Sequence, residues 1–210
     1  MTEPANPWLP APAVERPVAC KESRSVVATG PEHPQRGVPA PDQVDQLPIR
    51  SQPATAGLWI VGVHGGAGES TISKLDADWK ATGHCWPGAD VRGALPVVAV
   101  ARTSARGLTA ARAAAQQWAA GMVPSVRLLG LILVSDAPGR LPRPLRDLAL
   151  IVAGGYPRTW RIPWIESWRL GDTVSSDNSP REVRGMLADL NSLLKPDHDP
   201  SMERPPHGTH

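Results

Sequence analysis

Phenylalanine is absent from the 210 residues, which hold a single tyrosine and only two cysteines. Cys20 and Cys85 lie far apart, one in a proline-rich arm and the other in a polar loop, and that placement argues against a disulfide framework. No run approaches the roughly 18 apolar residues that a membrane-spanning helix needs. The N-terminus also lacks the apolar centre of a secretory leader, so a cytoplasmic protein is expected. The formal net charge of +2 is too small to predict nucleic-acid binding by itself.

Proline, by contrast, is abundant, with 24 residues, many of them near the ends of the chain. Residues 1–55 combine proline with polar and charged residues and show no hydrophobic period, so the expectation is a disordered arm. Trp8 and the prolines beside it leave open a partner-binding tether in polyproline II form. Residues 196–210 are expected to be disordered for the same reason, and the histidines there are too scattered to bind a metal.

Residues 56–195 alternate short apolar runs with helical patterns. A first strand is expected over 58–63, followed by a helix from Ser70 that places Ile72, Leu75 and Trp79 on one face. Further strands are expected at 97–100, 126–134 and 159–162, the last cut off by Pro163. Helices are expected over 108–120, from Pro144 to the pair Gly154 and Gly155, and from Pro180, where Ser179 as cap and Glu182 form a capping box. The fold class is therefore α/β, a mostly parallel sheet with helices on both faces. Such a sheet gathers its loops at the C-terminal edge of the strands, here 64–71, 102–106, 135–143 and 163–169.

The first of these loops, His64-Gly65-Gly66-Ala67-Gly68-Glu69-Ser70-Thr71, follows an apolar strand and opens a helix. It resembles the deviant Walker A motif of the MinD/ParA ATPases, Lys-Gly-Gly-x-Gly-Lys-Ser/Thr-Thr, with both lysines replaced, by His64 and Glu69. The likeness extends over about 58–194: 97–103 and 129–134 resemble later strands of that family, and the turn at Pro163 resembles its Ile-Pro turn. The segments 160–169 and 136–142 further resemble MinD-like proteins of high-GC bacteria, some from mobile-element settings. In a working P-loop, backbone N–H groups and the lysine hold the phosphates, and the Ser or Thr hydroxyl binds magnesium.

Two unit charges about 4 Å apart interact by on the order of 4 kcal/mol at an effective dielectric near 20, so exchanging lysine for Glu69 costs phosphate binding roughly twice that. The family's magnesium-binding aspartate strand has no counterpart between the first helix and Val97, although an alternative alignment places Asp136 in that role.

The resemblance thus implies a degenerate P-loop domain without ATP turnover and without cofactor or metal, a protein-binding or regulatory module, with plasmid or mobile-element maintenance or transfer as the setting it suggests. Two alternatives stay open. One is an ATPase that takes Mg-ATP with a substitute cation such as Arg102 or Arg140; the other is a DNA-associated accessory protein. A homodimer is compatible with each. Arg102, Asp136 and Arg140 are the crevice candidates. Trp160, Trp164 and Trp168, flanked by Arg161 and Arg169, are the candidates for an exposed docking patch.

Overall fold

The computed structural model describes residues 29–52, 55–88 and 93–195. Five parallel strands form the central sheet: β2 (Leu58–Gly62), β3 (Trp79–Ala81), β5 (Leu95–Arg102), β6 (Val126–Val134) and β7 (Thr159–Ile162), in the spatial order β3-β2-β5-β6-β7. A separate parallel pair joins β1 (Ile49–Ser51) to β4 (Trp86–Gly88). The helices are α1 (Glu69–Ile72), α2 (Ala105–Ala119), α3 (Arg143–Ala153), α4 (Glu166–Leu170) and α5 (Arg181–Leu194).

Side chains alternate across each strand, so the sheet divides the core into two layers. On one side Trp59, Val61, Ala99 and Leu131 meet α2 and α3 through Leu108, Ala111, Trp118 and Val152. On the other, Leu58, Ile60, Val98 and Ile132 meet α1 and α5 through Ile72, Val183, Met186 and Leu190. The expected α/β fold with helices on both faces is the observed one. β6 changes phase at a register shift opposite Val97 and Val98: Val126 and Leu128 face the α2 layer before it, and Leu131 and Leu133 face that layer after it, with Gly130 paired to Val98. A Cβ at Gly130 would lie 2.4 Å from the Arg158 carbonyl oxygen, so only glycine lets β7 approach there.

Three local expectations fail. The helix after the glycine loop stops at Ile72, and a short 3₁₀ turn, Ser73–Leu75, follows it. Asp76 is extended and its carboxylate accepts the Asp78 N–H at 2.9 Å, a side-chain turn that ends the helix and sends Trp79 into β3. The capping box at α5 does not form either. Pro180 is the cap residue, and the Ser179 hydroxyl donates to the Ser175 carbonyl instead.

The third failure concerns the arm. Residues 1–28 lie outside the described residues, but 29–52 form a strap laid against the domain. Its anchor is Gln117 of α2, which is 2 % exposed. The Gln117 Oε1 accepts the Leu47 N–H (3.0 Å) and the Trp86 Nε1–H (2.9 Å), while its Nε2 donates to the Leu47 carbonyl (2.9 Å). Leu47 itself is buried beside Trp86 and α2. Further along, Thr29 bonds to the Pro157 and Tyr156 carbonyls, and Glu32 pairs with Arg158 at 3.3 Å. A segment with no hydrophobic period is thus ordered by Leu47 and Val38 against the core and by polar partners that the domain supplies. The 196–210 tail lies outside the described residues.

Candidate functional site

β2 ends in a glycine loop because three residues there need unusual backbone or close approach, and a fourth glycine, in α2, makes room for the loop. Gly66 and Gly68 take positive φ (+77° and +105°), which L-residues with side chains disfavour. Gly62 has no room for a Cβ, since the Glu69 carboxylate lies 2.8 Å from where it would stand. Gly107, in the first turn of α2, lets His64 and the Arg102 carbonyl approach.

His64 and Glu69, the two residues at which the loop departs from the motif it resembles, are both bonded within the protein. Glu69 does not face the mouth of the loop. Its Oε2 accepts the Gly62 N–H at 2.7 Å and the His84 N–H at 3.3 Å. The His84 ring, in turn, donates from Nδ1 to the Gly62 carbonyl at 2.6 Å. One residue at the end of β2, Gly62, is therefore bracketed by Glu69 at its N–H and His84 at its carbonyl, and the carboxylate supplies the acceptor that β3 no longer offers beyond Ala81. His84 is the sole residue other than glycine with positive φ among those described (φ 60°). Sequence reasoning missed it, because nothing in the local pattern beyond the preceding Gly83 marks the residue that caps β2.

His64 pins the loop to β5. Its Nε2 accepts the Arg102 N–H at 3.0 Å, so the ring proton sits on Nδ1, which donates to the Gly65 carbonyl at 2.9 Å. The Arg102 guanidinium spans the crevice, donating from Nε to Gly66 O (3.4 Å) and from Nη1 to Ser135 O (3.0 Å). Gly107→Ala would drive a methyl to 2.3 Å from the Arg102 carbonyl and 2.9 Å from His64 Nε2. Overpacking of this kind costs about 1–3 kcal/mol, and the expected result is a lower denaturant midpoint with an unchanged slope.

A cavity of about 460 Å³ opens at this edge, lined by Gly66, Gly68, Thr71, Arg102, Ser135, Asp136, Trp164, Trp168 and Arg169, among others. The four loops expected at the edge do converge. Within 64–71 the lining comes from Gly66, Gly68 and Thr71; Ala67 is buried in the core, and His64, Gly65, Glu69 and Ser70 are not among the lining residues. Arg140 faces a neighbouring cavity of about 280 Å³, with Thr103, Ser104, Leu141 and Arg161. Ser135 and Asp136 line both. The Asp136 N–H is held by the Thr103 hydroxyl at 3.1 Å.

The tryptophans do not form one exposed patch. Trp160 is 5 % exposed and donates its Nε1–H to Asp189 at 3.1 Å, so it is core. Trp164 and Trp168 are half-buried walls of the larger cavity, with Trp164 Nε1 donating to Glu166 at 2.5 Å. Cys85 is buried rather than in an open polar loop, and desolvation pushes its thiol up, against smaller opposing contributions from Gln52, Arg50 and Thr82. The thiol donates to the Thr82 carbonyl at 3.0 Å. Among the described residues no three His, Cys, Asp or Glu side chains are placed to share a metal ion.

Residues 56–187 match the model of a family of unknown function, DUF6668. The chain belongs to that family. No curated protein and no solved structure matches it. The DUF6668 region begins after the strap and contains the glycine loop, Arg102, Asp136 and both cavity tryptophans, so the whole crevice is family territory whereas Leu47 is not.

Proposed function

We propose that this DUF6668 chain is a degenerate MinD/ParA-like P-loop domain without ATP turnover, working as a protein-binding or regulatory module. The observation that carries the reading is the Glu69 carboxylate, bonded into the end of β2 where the resemblance would put a phosphate-binding lysine. With no lysine in 64–71, Arg102 is the cation next to the loop, and two of its donors are committed to Gly66 O and Ser135 O. A magnesium site would need carboxylates around Thr71, yet Asp136 is the lone acidic residue that lines the cavity. These residues do not fit Mg-ATP, and no catalytic step is derived through it.

A parallel sheet whose loops are retained while the phosphate chemistry is lost still presents a shaped, charged edge. Trp and Arg, the residue types most enriched at binding hot spots, are what that edge displays. Isothermal titration of the full chain with Mg-ATP is expected to give no saturable heat at micromolar nucleotide. A micromolar dissociation constant accompanied by phosphate release would overturn the reading.

A further inference from the structure

β7 is an outer strand of the sheet, and among the described residues it pairs on one side only, with β6. The Arg158 and Ile162 carbonyls accept the Leu131 and Ser135 N–H groups on that side. Backbone groups alternate in direction along a strand, so the N–H and C=O of Thr159 and Arg161 point the other way, out of the edge. No described residue bonds to these four groups. The Thr159 hydroxyl is buried and also has no partner among the described residues, a state that buried hydroxyls rarely keep. An edge of this kind is a template for one more strand.

The first rung of that strand is in place. The Thr29 N–H donates to the Pro157 carbonyl at 2.9 Å, and Pro157, two residues before Thr159, faces outward as Thr159 does. The Thr29 hydroxyl donates to the Tyr156 carbonyl at 3.1 Å. Gly30 then passes so close to the Gly154 and Tyr156 carbonyls that a Cβ on it would strike both. Numbering rises on one side as it falls on the other, which is the antiparallel sense. We infer that residues 25–28, which precede Thr29 and lie outside the described residues, add to the free edge of β7 as an antiparallel strand. With Thr29 opposite Pro157, Val27 falls opposite Thr159 and Ser25 opposite Arg161, the two residues whose backbone groups point outward. Each of these pairs exchanges two hydrogen bonds. Ser25, the diagonal neighbour of Thr159 on the same face, also brings a hydroxyl toward the unpartnered one.

The sequence suits the place. Residues 18–30 are the longest stretch of the arm without proline, and Val26 and Val27 are β-branched neighbours. The other end of the chain fits worse: residues 196–210 hold four prolines and no valine, isoleucine, tyrosine or tryptophan. A strand from another molecule must compete with one tethered two residues from an anchored rung, and short tethers give effective concentrations on the order of millimolar.

The direction of the strand has a consequence for the arm. β7 ends one residue before Pro163, which lines the larger cavity. Read backward from Thr29, an antiparallel strand climbs from the Pro157 end of β7 to the Pro163 end. Residues 1–24, with Trp8 and Cys20, therefore set out beside the crevice rather than from the opposite edge of the sheet.

Nuclear magnetic resonance of the full chain tests this. The Thr159 and Arg161 amides should exchange with solvent at least about tenfold more slowly than open amides, at a rate independent of protein concentration. An Hα–Hα Overhauser contact should join Val26 to Trp160, a non-hydrogen-bonded pair whose Cα atoms lie about 4.5 Å apart in such a ladder. Val27→Pro removes the donor aimed at Thr159 and should speed both exchanges about tenfold or more, whereas Val26→Pro, whose N–H faces solvent, should change them less than about threefold. Exchange at open rates in the natural chain would overturn the assignment. An Hα–Hα contact in another register, or equal effects of the two proline variants, would do the same. Protection that appears only at high protein concentration, with a dimer in sedimentation, would overturn it in favour of a second copy on β7.

Discussion

Gln117→Leu is expected to lower the free energy of unfolding by about 3–6 kcal/mol, although leucine nearly matches glutamine in volume. Three buried groups lose their partner at once: the Leu47 N–H, the Leu47 carbonyl and the Trp86 indole N–H. A buried donor or acceptor left unsatisfied costs about 1–3 kcal/mol, and water reaches this site poorly because Trp86 and Gln117 are both almost fully covered. The loss should appear as a lower midpoint in guanidinium denaturation. Limited proteolysis should also cut within 29–52 before it cuts the sheet, because Gln117 is what ties that strap to α2. A change below about 1 kcal/mol would mean that the strap contributes little to the fold.

Glu69→Lys is expected to cost about 2–4 kcal/mol, since it removes two bonds to a carboxylate and places a cation beside the same two N–H donors. Glu69→Gln should fall between lysine and the natural residue, because an amide oxygen still accepts the Gly62 N–H without the charge. Lysine cannot stay where Glu69 lies, so its ammonium turns toward Gly66 and Gly68. Titrated with Mg-ATP, the lysine variant is expected to show weak saturable heat where the natural chain shows none. If the lysine variant were as stable as the natural chain, the Glu69–Gly62 bond would not be what the fold needs from position 69. If it were destabilised but blind to nucleotide, the loop would be an ordinary strand-to-helix turn.

The parts of this fold that were legible in the sequence are those where hydrophobic period and burial coincide. β6 is an apolar run covered on both faces, and the stripe of α2 through Leu108, Ala111 and Trp118 is the one that packs on the sheet. Trp79 was misplaced because its spacing from Ile72 and Leu75 fits a helix as well as it fits a turn followed by a strand, and only the Asp76 carboxylate decides. β3 and β4 are three residues each and too short to show a period. The strap was missed because its order comes from Gln117, some 70 residues away, and a pattern read locally has no access to that partner.

At the crevice, residue identity and loop convergence could be read, but side-chain direction could not. Glu69 was expected to present its charge at the mouth of the loop. It turns back on Gly62 instead, because an N–H at the end of a short edge pairing had no other acceptor. The apparent tryptophan cluster was an accident of spacing: β7 buries Trp160, and after Pro163 the chain turns Trp164 and Trp168 to the crevice.

Thr29 sits by Tyr156 and the last turn of α5 by Arg127, both at the edge of the sheet remote from Asp136. An affinity tag, a fluorophore or a biotin attached next to Thr29 or next to Leu194 can therefore tether the protein to a surface with its arginine-rich rim turned to solvent. Labels on the loops after β5, β6 or β7 would block the very ground they are meant to report.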